Sequence, residues 1–446
     1  MRRRNWHSHP YSSFTKMLTT TIQANKIPVT LEEFRLKALA WADQHPLVAY
    51  YNPNNITYPH NGFEHLLAVS SGKSIEIDQF DVLQSMRQQL SQPHDLICGF
   101  LTYDLKNQVE KLSSQNADGI GFPVAAFFHP EVYLYFNNDS ISISSSGIKP
   151  EVILQTILAT PAPESYSKAP LHIQQKVSRE KYKANVEKIK DHILEGDVYE
   201  LNYCMEFYAE DAAIEPLPLY LALNAASPTP FSGYLKYNDH YLMCASPERF
   251  LKKEGTKLIS QPIKGTIRRG NTPEEDAQLQ HQLRHDEKEL AENMMIVDLV
   301  RNDLSRSCAI GTVQVEEMFG IYGFRQVSQM ISTITGELKP ENDLVDALAG
   351  TFPMGSMTGA PKISAMQLIE DLEDTKRGLY SGTFGYITPE NDCDFNVVIR
   401  SIQYNATTKY LNFMVGSAIT YDSDPEKEYE ECLLKAKAIL KVLNFE

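Results

Sequence analysis

Paired cysteines, long apolar runs and an excess of positive charge are all missing from this chain, and each absence removes a class of function. The six cysteines, Cys98, Cys204, Cys244, Cys308, Cys393 and Cys432, stand singly with no C-x-x-C between them. That spacing supports neither a disulfide framework nor a zinc site, and the compartment it suggests is a reducing cytoplasm. No apolar run reaches the ~18 residues expected of a membrane-spanning helix. The opening MRRRNWHSHPYSSF is basic, but no apolar stretch follows it, so it does not read as a signal peptide. Solenoid-type repeats are lacking too. Positive charge is scarce: 42 Lys and Arg against 57 Asp and Glu give a formal net charge of -15. Nucleic acid and anionic membranes are poor bulk partners for such a protein. An anionic substrate would need cations gathered locally, or a metal ion.

What remains is an ordinary globular composition, 42% hydrophobic and 22% charged over 446 residues. The first 15 residues read as a loose extension. Residues 16–158 mix short strands with helices, including a hairpin signal in VYLYFNNDSISISSS. Residues 159–175 begin with ATPAPESYSKAP, a Pro-rich linker or crossing segment. The region 176–446 opens on a helix that Ser178 can cap, with Tyr182, Val186, Ile189 and Ile193 as its apolar stripe and Gly196 as its stop. Further on, GTFGYIT, DFNVVIRSIQY and KYLNFMVG, joined by PEND and NATT, predict a three-stranded antiparallel meander. Strand runs mixed with long helices, without a βαβ rhythm, predict an α+β fold with large antiparallel sheets.

Several residues in the last region could carry chemistry. Glu289 and Glu292 in HDEKELAEN, and Glu428 and Glu431 in DPEKEYEEC, are each three apart and share a helix face. Such pairs are commonly solvated faces; converging, they would suit a hard cation such as Mg²⁺. Arg400 in FNVVIRSI sits in a run apolar on both faces, so its charge needs a partner, either a structural glutamate or a substrate carboxylate. Glu248 in CASPERF follows a strand at a turn. Lys264 in QPIKGTIRRG lies where a strand, Ile259 to Ile263, runs into a Gly-Thr turn, and reads either as a surface lysine or as a reactive amine. GSMTGAPKISAMQLIEDLE is a glycine-rich loop opening a helix, without Walker spacing.

Taken in order, SPERF, PIKGTIRRG, AENMMIVDLVRNDLSR, GSMTGAPKISAMQLIEDLE, YSGTFGYI, FNVVIRSI and GSAITYDSDPEKEYEECLLKA resemble the chorismate-utilising enzymes. That family includes anthranilate synthase component I, aminodeoxychorismate synthase component I, and the isochorismate and salicylate synthases. The matching motifs cover nearly all of 246–446, with weaker matches upstream in GDVYELNYCMEF and GFLTYDL. The resemblance implies two large antiparallel sheets packed as a sandwich or in orthogonal layers, with helices outside. It implies Mg²⁺ between Glu292 and Glu431, supported by Glu289 and Glu428, holding the ring carboxylate of chorismate. Arg400, Tyr386 and the backbone amides of Gly416, Ser417 and Ala418 are expected on the enolpyruvyl carboxylate. Thr266 and Gly355 complete the substrate-binding set, and Lys435 neutralises charge near the metal.

Two positions separate the branches of this family. Anthranilate synthases carry alanine in the P-I-A-G-T segment, whereas the aminodeoxychorismate branch carries lysine, as Lys264 does here. Isochorismate and salicylate synthases carry a water-activating lysine in the segment where this chain has Glu200; the amine-using branches usually have glutamine there. The resemblance therefore implies amination of chorismate at C4, with Lys264 as nucleophile, made reactive by a depressed pKa, and Glu248 as general acid; the alternatives are an anthranilate synthase component I or a catalytically inactive chorismate-binding regulatory subunit. Gln329 stands where many relatives have a histidine linked to pyruvate elimination. No G-x-C-x-G nucleophile turn is present, so ammonia is expected from a separate glutamine amidotransferase subunit.

Overall fold

The computed structural model describes residues 17–443 apart from Lys73, residues 168–170 and Gln326; the extension expected over 1–15 lies outside the described residues. Two antiparallel sheets of twelve and nine strands form its centre. Their layering follows from side-chain alternation. In strand Leu47–Asn52 every residue is buried. Val48 and Tyr50 point into one core, while Leu47, Ala49 and Tyr51 point into another. The second of these cores lies between the sheets, where Tyr51 stacks on Phe384 of the nine-stranded sheet. Helices cover both outer faces. Leu31–Ala42, Arg179–Glu195, Pro216–Ala226 and Pro425–Val442 pack on the twelve-stranded sheet. Val82–Leu90, Glu287–Ser307 and Leu344–Thr351 pack on the other. The arrangement is the α+β sandwich expected, with helices outside.

Local signals fix several helix ends. Ser178 Oγ accepts the Lys181 N–H, and Gly196 ends the same helix at φ +87°. Thr272 caps the helix Pro273–Arg284. Asp424 accepts the Glu426 and Lys427 N–H groups ahead of Pro425–Val442, with Pro425 at the first helical position.

Two expectations are corrected. Lys264 does not sit at a turn: Lys257–Gln261 and Ile263–Arg268 are successive strands, and Lys264, Gly265 and Thr266 continue the second as a bulge. Gly265 adopts φ +93°, which kinks the strand without ending it. The expected meander is also split between the sheets. Cys393–Asn396 pairs with Thr383–Ile387 in the nine-stranded sheet, whereas Ser401–Asn405 pairs with Tyr410–Ile419 in the twelve-stranded one. Residues 397–400 carry the chain across, with Arg400 at φ +50° at the corner. A run apolar on both faces suits a segment that passes from one buried sheet to another as well as it suits one central strand.

Candidate active site

Lys264 is the centre of a buried charge cluster. Its Nζ donates to Glu200 Oε1 at 2.8 Å, and the two side chains are 11% and 2% exposed. Glu200 begins the strand Glu200–Ala209 of the twelve-stranded sheet, so the pair spans the two sheets. Backbone packing sets Lys264 in place. Gly265 at φ +93° holds a backbone conformation that favours glycine, and a Cβ there would crowd Glu289 Oε2 at 3.2 Å and Met330 and Leu283 at 3.3 Å. Asn293 of that helix donates to the Lys264 carbonyl at 3.3 Å.

Glu248 lies between strands His240–Ser246 and Arg249–Glu254 and is 3% exposed. Ser356 Oγ donates to its Oε1 at 2.7 Å. Burial pushes the Glu248 carboxyl up to about 7, against the opposing pull of Ser356, Lys264 and Arg400. It is therefore protonated in a large fraction of molecules at neutral pH, as a general acid requires.

The lysine departs from expectation. Burial alone would lower its pKa, but the carboxylates of Glu200, Glu292 and Glu248 outweigh burial and hold the ammonium above its ordinary range. The depressed lysine that nucleophilic attack calls for is not the resting state of this charge cluster.

The four glutamates do converge. Helices Glu287–Ser307 and Pro425–Val442 bring Lys288 Nζ to 3.6 Å from Glu292 Oε1 and 3.7 Å from Glu428 Oε1, so an ammonium bridges the two helices. Ser423 Oγ donates to Glu428 Oε1 at 2.8 Å. Burial raises the Glu292 carboxyl to about 7, with Glu200 and Glu289 adding to the rise. Glu289 is likewise raised by burial, Asp286 and Glu431. Burial also acts on Glu431, but Lys435, Lys288 and Lys264 prevail and lower it. Lys435 Nζ reaches Glu431 at 2.7 Å and the Gly416 carbonyl at 2.8 Å, tying the helix to the strand Tyr410–Ile419. Six carboxylates, Glu200, Glu248, Glu289, Glu292, Glu428 and Glu431, thus face four cations, Lys264, Lys288, Lys435 and Arg400.

The Arg400 guanidinium makes no hydrogen bond or ion pair among the described residues. Burial lowers its pKa, which Glu248 partly counters. It is a cation without a structural partner, available to an anion. The strand Tyr410–Ile419 adds donors. Gly416 and Ala418 stand opposite Cys204 and Asn202, whose own N–H groups go to Glu373 and the Thr358 carbonyl. This phasing turns the Gly416 and Ala418 amides away from the neighbouring strand, whereas Ser417 faces Tyr203 in the ladder. The Ser417 hydroxyl is engaged by Tyr182 at 2.8 Å.

Three expected contacts make no hydrogen bond or ion pair to the charged cluster, although Gly355 lines the same small cavity as Glu248 and Ser356. Tyr386 accepts the Glu64 N–H at 3.2 Å and packs against Tyr51 and Phe63 in the core between the sheets. Gly355 packs on Leu299, where a Cβ would come within 2.7 Å of that side chain; its neighbour Ser356 makes the contact to Glu248. Thr266 is exposed and only weakly bonded to Gln329, at 3.4 Å. The sequence reading missed Ser356, Lys288 and Tyr380. Tyr380 opens the same YSGTFGYI segment as Tyr386, and its hydroxyl lies 3.9 Å from Cys204, the residue opposite Gly416. The spacing of Lys288 four residues before Glu292 was its available signal. Among the described residues, the side chains that bring three ligand atoms within 4.8 Å of one another are His192, Glu195 and Asp197, away from this cluster. The glutamates are thus set wider than a closed metal cage.

A two-sheet sandwich thus holds a buried lysine, a half-protonated glutamic acid and four convergent glutamates. The model of the chorismate binding enzyme family matches residues 45–441, and the chain belongs to that family. Anthranilate synthase component 1 of Thermus thermophilus is 35% identical over 361 residues, covering 78% of this chain and 77% of that protein. Aminodeoxychorismate synthase component 1 of Bacillus subtilis is 31% identical over 448 residues, covering 97% of this chain and 94% of that one. The crystal structure of anthranilate synthase component I from Streptococcus pneumoniae superposes with a TM-score of 0.73 at 27% identity, covering 98% and 95% of the two chains. The fold is that of anthranilate synthase component I. Among the described residues no helix is long and apolar enough to cross a membrane.

Proposed function

We propose that the protein aminates chorismate at C4 to give 4-amino-4-deoxychorismate, with ammonia supplied by a separate glutamine amidotransferase subunit. The observation that carries this reading is Lys264, a buried amine placed among Glu200, Glu248 and Glu292 rather than on the surface. Chorismate is a dianion. Arg400 and the Gly416 and Ala418 amides suit its enolpyruvyl carboxylate.

Mg²⁺ fits the glutamate cluster: the donors are all carboxylate oxygens, and the wide setting leaves room for retained waters. Glu292 and Glu431 would hold the ion, with Glu289 and Glu428 beside them. The ion would supply a positive charge for the ring carboxylate. The chain's own residues do the rest. Lys264 Nζ attacks C2, the ring double bonds shift, and the C4–O bond breaks as Glu248 protonates the departing hydroxyl. Ammonia then bonds to C4, the double bonds shift back, and the C2–Nζ bond breaks to release lysine. Glu248 recovers its proton from the new C4 ammonium.

The test is the purified protein with chorismate, Mg²⁺ and excess ammonium at alkaline pH, with products resolved by mass. Aminodeoxychorismate, converted to p-aminobenzoate only after a lyase is added, supports the proposal. Anthranilate with pyruvate would overturn it in favour of the anthranilate synthase reading, which the similarity to the Thermus protein also permits. No turnover at all would leave a chorismate-binding regulatory subunit.

A further inference from the structure

We propose that Glu200 is the proton acceptor for Lys264, converting the paired ammonium into the amine that attacks the ring; this rests on the amination reading above. The ammonium as it stands has no lone pair to give, so its proton must go somewhere before Nζ can bond to carbon. Glu200 Oε1 lies 2.8 Å from Nζ and is the only side-chain acceptor bonded to it among the described residues. Its second oxygen, Oε2, is buried without a hydrogen-bond partner. No fixed donor occupies that oxygen, so a proton can be placed on this carboxylate without displacing another hydrogen bond.

The proton count closes over one cycle. Lys264–NH₃⁺ and Glu200–COO⁻ become Lys264–NH₂ and Glu200–COOH. Attack forms the C2–Nζ bond and leaves Nζ as a secondary ammonium, while Glu248 gives its own proton to the departing hydroxyl. When ammonia bonds to C4, the C2–Nζ electron pair returns to Nζ and frees neutral lysine. Glu200 then hands its proton back across the same 2.8 Å contact. Glu200 and Glu248 thus run separate, closed proton cycles.

The charged groups facing Lys264 are Glu200, Glu292 and Glu248, each from a different element. Of these Glu248 is committed to the leaving group and Glu292 to the cation cluster. A test must isolate Glu200 from both. Wild type and Glu200→Gln are mixed with chorismate and Mg²⁺ in the absence of ammonia, quenched, and the peptide holding Lys264 is weighed for addition of chorismate less water. Glu248 titrates in both proteins, so the ratio of the two adduct-formation rates cancels its contribution. The expected ratio shows Glu200→Gln slower by about 100-fold or more at pH 7, closing about tenfold per pH unit as hydroxide replaces the lost acceptor, until Lys264 itself titrates. Glu200→Asp, which keeps a carboxylate, is expected to retain a pH-independent ratio above that of the glutamine variant. Equal rates, or a deficit constant with pH as a purely structural role would give, overturn the assignment of Glu200 alone. If wild type forms no adduct while still aminating chorismate, the covalent lysine fails, and Glu200's role with it.

Discussion

Replacing Lys264 with alanine should destabilise the fold, and not only stop catalysis. The side chain is 11% exposed, and its removal strands Glu200, 2% exposed, with no donor on either oxygen. Breaking a buried pair by deleting one partner typically costs about 3–5 kcal/mol, most of it the penalty of the charge left behind. Lys264 also offsets Glu292 and Glu248, so the deletion weakens the compensation of three neighbouring carboxylates. Unfolding entropy scales at ~2.1 cal/mol/K per residue, so over 446 residues each kcal/mol moves Tm by roughly 1 °C, a loss of about 3–5 °C. Protonation relieves a stranded carboxylate. The loss should therefore be full near pH 8 and shrink as the pH falls toward ~5. The double variant Lys264→Ala with Glu200→Gln removes both charges and should recover most of the loss. Urea unfolding in metal-free buffer at pH 5, 6.5 and 8 measures all of this. A single variant as stable as wild type at pH 8, or a double variant no better than the single one, would refute the reasoning. The practical consequence is that inactivity of Lys264→Ala alone is weak support for a nucleophile, and the double variant is the proper catalytic control.

Glu248→Gln should lower kcat by about 10²–10⁴-fold with little change in chorismate binding, since it removes the proton donor but keeps the shape. With that carboxyl pushed up to about 7, the acid form is lost above neutrality, and the wild-type rate with saturating ammonia should fall on the alkaline side of about pH 7. A flat rate from pH 6 to 9 would remove Glu248 from the role. Arg400→Lys should raise KM for chorismate at least ~10-fold and leave kcat within a few-fold, because the lysine keeps the charge but loses the fork. Glu292→Gln and Glu431→Gln should each weaken Mg²⁺ binding by at least ~10-fold in calorimetric titration, and Mg²⁺ should raise the wild-type Tm in proportion to the logarithm of its concentration. Unaltered titrations in both variants would place the ion elsewhere.

Much of the site was legible because its parts are local. Glutamates three apart share a helix face whatever the fold, and the caps at Ser178, Thr272 and Asp424 depend only on neighbouring residues. What failed depends on which sheet a strand joins. Alternation within DFNVVIRSIQY is the same whether the run is one strand or two, and only the crossing at 397–400 decides that Arg400 stands at a corner. The two tyrosines of YSGTFGYI show the same limit. The two differ by six residues, so period-2 alternation puts both on one face of an ideal strand, yet Tyr380 precedes the strand Thr383–Ile387 and Tyr386 lies within it.

The pairing of Glu200 with Lys264 was the least legible feature, although both residues were singled out from the sequence. They lie 64 residues apart on strands of different sheets, and neither neighbourhood encodes the contact. Each had been weighed separately as a marker of chemistry, lysine for C4 amination and glutamate as the loss of a water-activating lysine. The geometry makes them one unit, and that alters the argument about reactivity. Burial by itself would disfavour the charge of a lysine. Lys264 instead rests as an ammonium beside Glu200, Glu292 and Glu248, and on the proposed mechanism its reactivity is governed by proton transfer inside the pair. A chain of net charge -15 can thus keep a cation beside its glutamate cluster, and on the proposed mechanism that cation becomes a nucleophile once its proton has crossed the 2.8 Å contact to Glu200.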